Sequence, residues 1–151
     1  MANPDSVGQF YQDAFGSFRV SFSPATSLAS TGNAVATLPI LSGGVGSTGS
    51  YIIRRITVTN PANNAGGTVP SLATANVTIL TSNDGNTSNA VTTAAGQTLG
   101  NVTAANTWQD LTLASGAATT AYTANALFVK VGVAVANTSV NISVWGDVVS
   151  F

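Results

Sequence analysis

Alternation of apolar and polar residues is strongest over residues 126–151, ALFVKVGVAVANTSVNISVWGDVVSF. Leu127, Val129, Val131, Val133 and Val135 share one parity, and Phe128, Lys130, Gly132 and Ala134 share the other. Past the corner Ala136-Asn137-Thr138-Ser139 the alternation restarts, with Val140, Ile142, Val144 and Val148 against Asn141, Ser143, Trp145 and Asp147. Successive side chains of a strand point to opposite faces, so each run has one apolar and one mixed face. Two such runs joined by a short polar corner predict an antiparallel hairpin at the centre of a β core. The mixed faces, small residues with one Trp, form a candidate contact surface.

The same period recurs upstream. Phe18, Val20 and Phe22 alternate with Ser17, Arg19, Ser21 and Ser23, and Pro24 is expected to end that strand. Residues 33–41 give a second strand anchored by Val35 and Leu38, and 51–59 (YIIRRITVT) a strong one that Asn60-Pro61 should close. Residues 75–81 and 107–113 read as further strands, with weaker ones at 90–93 and 97–103. Asn83-Asp84-Gly85-Asn86 carries a turn signal. Eight or nine short strands with almost no helical pattern predict an all-β fold, a two-sheet antiparallel sandwich with a jelly roll as the favoured arrangement. Residues 17–151 form the sandwich domain. Residues 1–16, with Phe10, Tyr11 and Phe15 near helical spacing, form a short N-terminal arm that folds back on the sandwich or docks on a neighbouring subunit.

Composition changes the picture at one point. The 151 residues are 44% hydrophobic, enough for a real core, but only 6% charged where about 25% is ordinary. Four basic residues and a net charge of −1 leave no field for nucleic acid and no polybasic patch for a membrane. A surface of Thr, Ser, Asn, Ala and Gly resists self-association poorly and suits a protein that is covered by partners. Cysteine is absent, so neither disulfides nor thiolate metal sites are available. The start MANPDSVGQF has no basic stretch followed by an apolar run, and a secretory signal is not expected.

Candidate chemistry is thin. Gly44-x-Gly46-x-x-Gly49 has the letters of a dinucleotide fingerprint, but a strand rather than a helix follows it, so it reads as a loop. One Asp among amides at 83–86 is too few carboxylates for calcium. Without His or Cys the usual Ser-His and Cys-His pairs cannot be built, and paired-carboxylate catalysis needs two of Asp5, Asp13, Asp84, Asp110 and Asp147 to converge. No enzymatic activity, metal or cofactor is expected. Arg54 and Arg55 are adjacent in a strand, so strict alternation points one of them inward. A buried guanidinium needs a partner, which Asp110 or Asp147 would supply, while the other Arg sits at an interface; the alternative is two surface arginines that snorkel.

Residues 126–151, with YIIRRITVTNP and TWQDLTL before them, resemble the small all-β decoration or cement proteins of tailed-bacteriophage capsids. The likeness spans roughly residues 50–151 and lies in Thr/Ala/Asn-rich strands, sparse charge and a Trp-Gly-Asp near the end. It implies a homo-oligomer, trimer favoured over dimer, made in the host cytoplasm and seated on the outer capsid surface of the virion. There it would bridge subunits of the major capsid protein. Phe10, Tyr11, Phe15, Arg54, Arg55 and Trp145 are the candidate interface residues. The alternatives are a carbohydrate- or receptor-binding module of a tail fibre or spike, and a jelly-roll shell protein.

Overall fold

The computed structural model describes residues 18–40 and 50–150, apart from the side chains of Phe18, Val149 and Ser150. Nine strands form among the described residues: β1 (Phe18–Ser27), β2 (Gly32–Pro39), β3 (Ser50–Asn63), β4 (Asn76–Leu80), β5 (Gln97–Thr98), β6 (Trp108–Asp110), β7 (Ala121–Tyr122), β8 (Ala126–Val133) and β9 (Thr138–Ser150). They make two antiparallel sheets. The first has the order β1-β9-β3-β6, with β7 also on β3; the second has the order β2-β8-β4-β5. Pairs β1–β9, β2–β8, β3–β6 and β4–β5 are nested, as if one long hairpin had been rolled up. That is the jelly-roll arrangement of a two-sheet sandwich.

The core is the apolar parity of each strand. Ile53, Ile56, Val58, Val140, Ile142 and Val144 from the first sheet meet Leu38, Val77, Ile79, Leu127, Val129 and Val131 from the second, all buried. Burying a side chain of this size contributes roughly 1.5–3 kcal/mol, so this interlayer dominates the favourable side of folding.

The expected hairpin of residues 126–151 does not form. β8 and β9 are each central, but in different sheets, and the corner between them crosses the sandwich. Both apolar parities are as read from the sequence except at the end of β8, where Val133 is 47% exposed. They face each other across the core instead of lying side by side in one sheet, and two such faces hide more surface by stacking than by pairing. The β1–β2 corner crosses in the same way and is tied to the β8–β9 corner by Leu28 N–H donating to Thr138 O and Val135 N–H to Leu28 O, both at 2.9 Å.

Two expected strand ends are bulges. β1 runs through Pro24, with a register shift between Ser23 and Thr26 where Ala25 takes φ 48° and its N–H donates to Asn141 Oδ1 at 2.9 Å. Pro24 is tolerated because β1 is an edge strand and the bulge needs no donor there. β3 likewise runs through Asn60 (φ 50°) and Pro61, with a shift between Thr59 and Ala62. The weak strands expected at 90–93 and 97–103 shrink to the isolated bridges of Ala90 and Thr92 and to the two residues of β5.

Both open sides of the sandwich are sealed. On one, Ser21 bridges Ile40 and its hydroxyl donates to Pro39 O at 2.7 Å. On the other, two glutamine side chains stand in for the missing ladder. Gln97 donates to Asp110 O at 3.4 Å and accepts from Thr112 N–H at 2.6 Å. Gln109 donates to Thr98 O at 2.7 Å and accepts from Asn101 N–H at 3.1 Å. An amide side chain has one donor edge and one acceptor, the same pair a backbone peptide offers.

Two stability predictions follow from these contacts. Gln97→Ala and Gln109→Ala should each cost about 1–3 kcal/mol in urea unfolding, with a coupling above about 0.5 kcal/mol in the double variant; additive effects would mean independent links. The second concerns Tyr51, which is buried with its hydroxyl donating to Ala124 O at 2.9 Å. Burial, and then the neighbouring Tyr122, raise its phenol above the ordinary 10.0. The folded form therefore keeps the proton longer than the unfolded chain, and stability present below pH 10 should fall as pH rises beyond it. Tyr51→Phe should flatten that alkaline loss in melting curves taken across pH 8–11.

Candidate functional site

The sequence offers four basic side chains and two tryptophans. Arg19, Arg54 and Arg55 and both tryptophans lie on the outer face of the β1-β9-β3-β6 sheet. In register across it, Arg19 pairs with Trp145 and Trp145 with Arg55; one row on, Phe22, Ser143, Thr57 and Asp110 align; beyond that come Asn141, Thr59 and Trp108. On the other side of the Trp145 row, Asp147 pairs with Ile52.

A bulge between Ile53 and Arg55 makes this possible. Strict alternation would bury one arginine. The extra residue in β3 resets the parity, so Ile53 and Ile56 both reach the core at 0% exposure, while the Arg54 and Arg55 side chains remain 45% and 26% exposed. Neither arginine points inward, which corrects the expectation of one buried guanidinium. The partner strand accommodates the bulge at Gly146. A Cβ there would overlap the Ile52 carbonyl oxygen, which no relaxation short of moving the backbone relieves.

Both arginines pair within the chain, whereas only one was expected to. Arg54 Nε–H donates to Asp147 Oδ2 at 2.7 Å, and an Nη1–H donates to Ala118 O at 2.8 Å. Arg55 Nε lies 3.6 Å from Asp110 Oδ1, the oxygen that also accepts from the Thr57 hydroxyl at 2.8 Å. Its guanidinium stands 5.7 Å from the Trp145 ring centre, and that of Arg19 stands 4.5 Å from the Phe22 ring centre. Pairs this exposed contribute at most about 1 kcal/mol each, so they fix side-chain positions more than they stabilise the fold. The Trp145 indole N–H is buried yet has no acceptor among the described residues.

Asp110 and Asp147 do not converge. They pair with Thr57 and Ile52, five residues apart on β3, or about 15 Å along a strand. Two carboxylates acting on one glycosidic bond stand roughly 5–9.5 Å apart. Among the described residues no group of three or more His, Cys, Asp or Glu gathers as a metal site, and no helix is long and apolar enough to cross a membrane. Asp5, Asp13, the arm residues Phe10, Tyr11 and Phe15, and the glycine loop at 44–49 lie outside the described residues.

Part of the outer face of the other sheet is covered by the chain itself. Lys130 Nζ donates to Gly85 O at 2.9 Å, and the Gly85 Cα sits against the Asn33 side chain, so the 81–90 loop lies over β2, β8 and β4. Thr78 and Leu80 are buried beneath it although their parity is outward. The mixed faces of the two C-terminal strands thus have different neighbours: Lys130 is tied to the 81–90 loop, whereas Trp145 and Asp147 lie beside the arginines of β1 and β3.

Two neighbouring positions should respond oppositely to substitution. Gly146→Ala should cost more than about 3 kcal/mol, because backbone must move. Trp145→Phe removes a buried donor that has no acceptor and should cost less than about 1 kcal/mol. Thermal unfolding of both variants checks the bulge and the indole environment. Compared with protein-family models, with curated proteins and with solved structures, the chain gives no match.

Proposed function

We propose that this chain is a structural virion protein that seats on the outer surface of a capsid and strengthens contacts between major capsid subunits. The observation that carries the reading is the concentration of three of the four cations and Trp145 on one sheet face, while the fourth cation, Lys130 on the other sheet, is tied to the chain's own 81–90 loop. Aromatic and arginine side chains are the residues that most often anchor protein interfaces. Here the arginines are held in place by Asp147 and Asp110 before any partner arrives, which lowers the ordering cost of binding. Arg54, Arg55 and Trp145 are the proposed anchors on the sandwich.

Area sets a requirement. Three strands about 26 Å long and the short β6, about 10 Å, spaced about 4.8 Å apart, present roughly 400 Å², short of the roughly 800 Å² per partner of a standard interface. Phe10, Tyr11 and Phe15 are proposed to add the remainder, and a homo-oligomer, a trimer first of all, would add several weak contacts on a repeated lattice. The sandwich face carries three arginines against two aspartates, a net of +1, so attachment should depend little on salt.

The test is whether the protein co-purifies with density-banded intact capsids, and in what copy number per major capsid subunit. Stoichiometric occupancy that survives a rise from about 0.05 to 0.5 M salt is expected. Arg55→Ala combined with Trp145→Ala should lower occupancy about tenfold or more with the fold retained. Absence from particles, or assembly of shells by the purified chain alone, would contradict the reading.

A further inference from the structure

Trp108 is the most exposed large hydrophobic side chain among the described residues, at 58%. It opens β6 and pairs with Thr59, which pairs in turn with Asn141, so the three form one row across three strands on the outer face. Directly opposed residues on one face have Cβ atoms about 5 Å apart, so the row is about 10 Å long. The Thr59 hydroxyl makes no hydrogen bond among the described residues. The Asn141 side-chain oxygen is taken by Ala25 N–H at 2.9 Å, which fixes the amide while its NH2 stays unbonded there. The Trp108 indole N–H likewise has no partner among the described residues.

We infer that this row is a recognition site for a neutral oligosaccharide, two pyranose rings long, with one ring stacked on Trp108. A sugar has an apolar face of C–H groups and a rim of hydroxyls, and binding it requires a flat aromatic surface beside fixed, uncharged hydrogen-bonding groups. An indole supplies the surface and its own N–H. Thr59 supplies a hydroxyl that donates or accepts, and Asn141 supplies two donors. Two rings of about 5 Å match the length of the row. A protein hot spot would instead surround the Trp with apolar neighbours that exclude water, and the outer-face residues nearest Trp108 in register are polar, Thr59 across the strand pair and Asp110 two places along β6, with Asn141 one strand further.

The platform is rigid. Gln109, next in sequence, donates to Thr98 O at 2.7 Å and accepts from Asn101 N–H at 3.1 Å, so β6 is clasped to the opposite sheet. Trp108 also stands apart from the anchors of the proposed capsid contact. Asn141 and Trp145 are four residues apart along β9, about 13 Å, so one end of the face could seat on a particle while the other stays open. The site does not depend on the capsid reading, and either could fail alone.

The experiment uses the full chain and a glycan array of neutral and sialylated oligosaccharides, followed by fluorescence titration of the hits. Saturable binding of a neutral oligosaccharide is expected, with a Kd in the millimolar range for a shallow two-ring site. Trp108→Ala should abolish it, Thr59→Val and Asn141→Ala should each weaken it about 3- to 30-fold, and Trp145→Phe should leave it unchanged. Near-wild-type melting temperatures would show that the variants fold. No bound glycan up to about 10 mM would overturn the proposal, as would binding unaffected by Trp108→Ala. Loss of capsid occupancy in Trp108→Ala without glycan binding by the wild type would assign the residue to a protein interface instead.

Discussion

The stacking of the β8 valine face against the β9 face is the constraint on which the rest of the structure depends. Leu127, Val129 and Val131 lie opposite Val140, Ile142 and Val144, and every one is essentially excluded from water. Because these two strands are the central members of their sheets, each recruits two neighbours, and the nested pairing of the whole chain grows outward from them. Once the apolar parity of β9 is committed to the core, Asn141, Ser143, Trp145 and Asp147 are committed to the outer face. The candidate site is a geometric consequence of how the core is filled.

Bulges then decide what the face contains. A regular β3 would spend one arginine on the core, where an ion is costly even when paired. The irregularity opposite Gly146 keeps Ile53 and Ile56 inside and both arginines outside, and it makes Gly146 a position where no side chain fits. Bulges at Pro24-Ala25 and Asn60-Pro61 let β1 and β3 continue past residues that would otherwise end them. With so few charges in the chain, this local backbone choice determines where charge appears at all.

Much of this was legible in the sequence. Period-two alternation locates the long strands and assigns Leu127, Val129, Val131, Val140, Ile142 and Val144 to the core, because parity is a local property; Val133 shares that parity but lies past the covered part of β8. The partner of each strand was not legible. A short polar corner after Val135 serves a hairpin or a crossing between sheets equally well, and only the global stacking of the two apolar faces selects the crossing. The arginine faces were misread for a related reason: alternation assumes no bulge, and the signal for one was the glycine at 146 on a different strand. The glutamine clasps left no sequence signature, since their partners are backbone groups of distant loops. Adjacency in one strand singles out Arg54 and Arg55, and the mixed face of the last strand singles out Trp145; strand register places them on one face with Trp108.

The central claim is that the open face of the β1-β9-β3-β6 sheet is the working surface of this protein. Hydroxyl-radical footprinting of the free chain and of the chain on capsids tests it most directly. Strong protection at Trp145 and Phe22 is expected on attachment, with Trp108 and the 81–90 loop over the other sheet unchanged. Protection of that loop with Trp145 left reactive would show that the protein works through its opposite side.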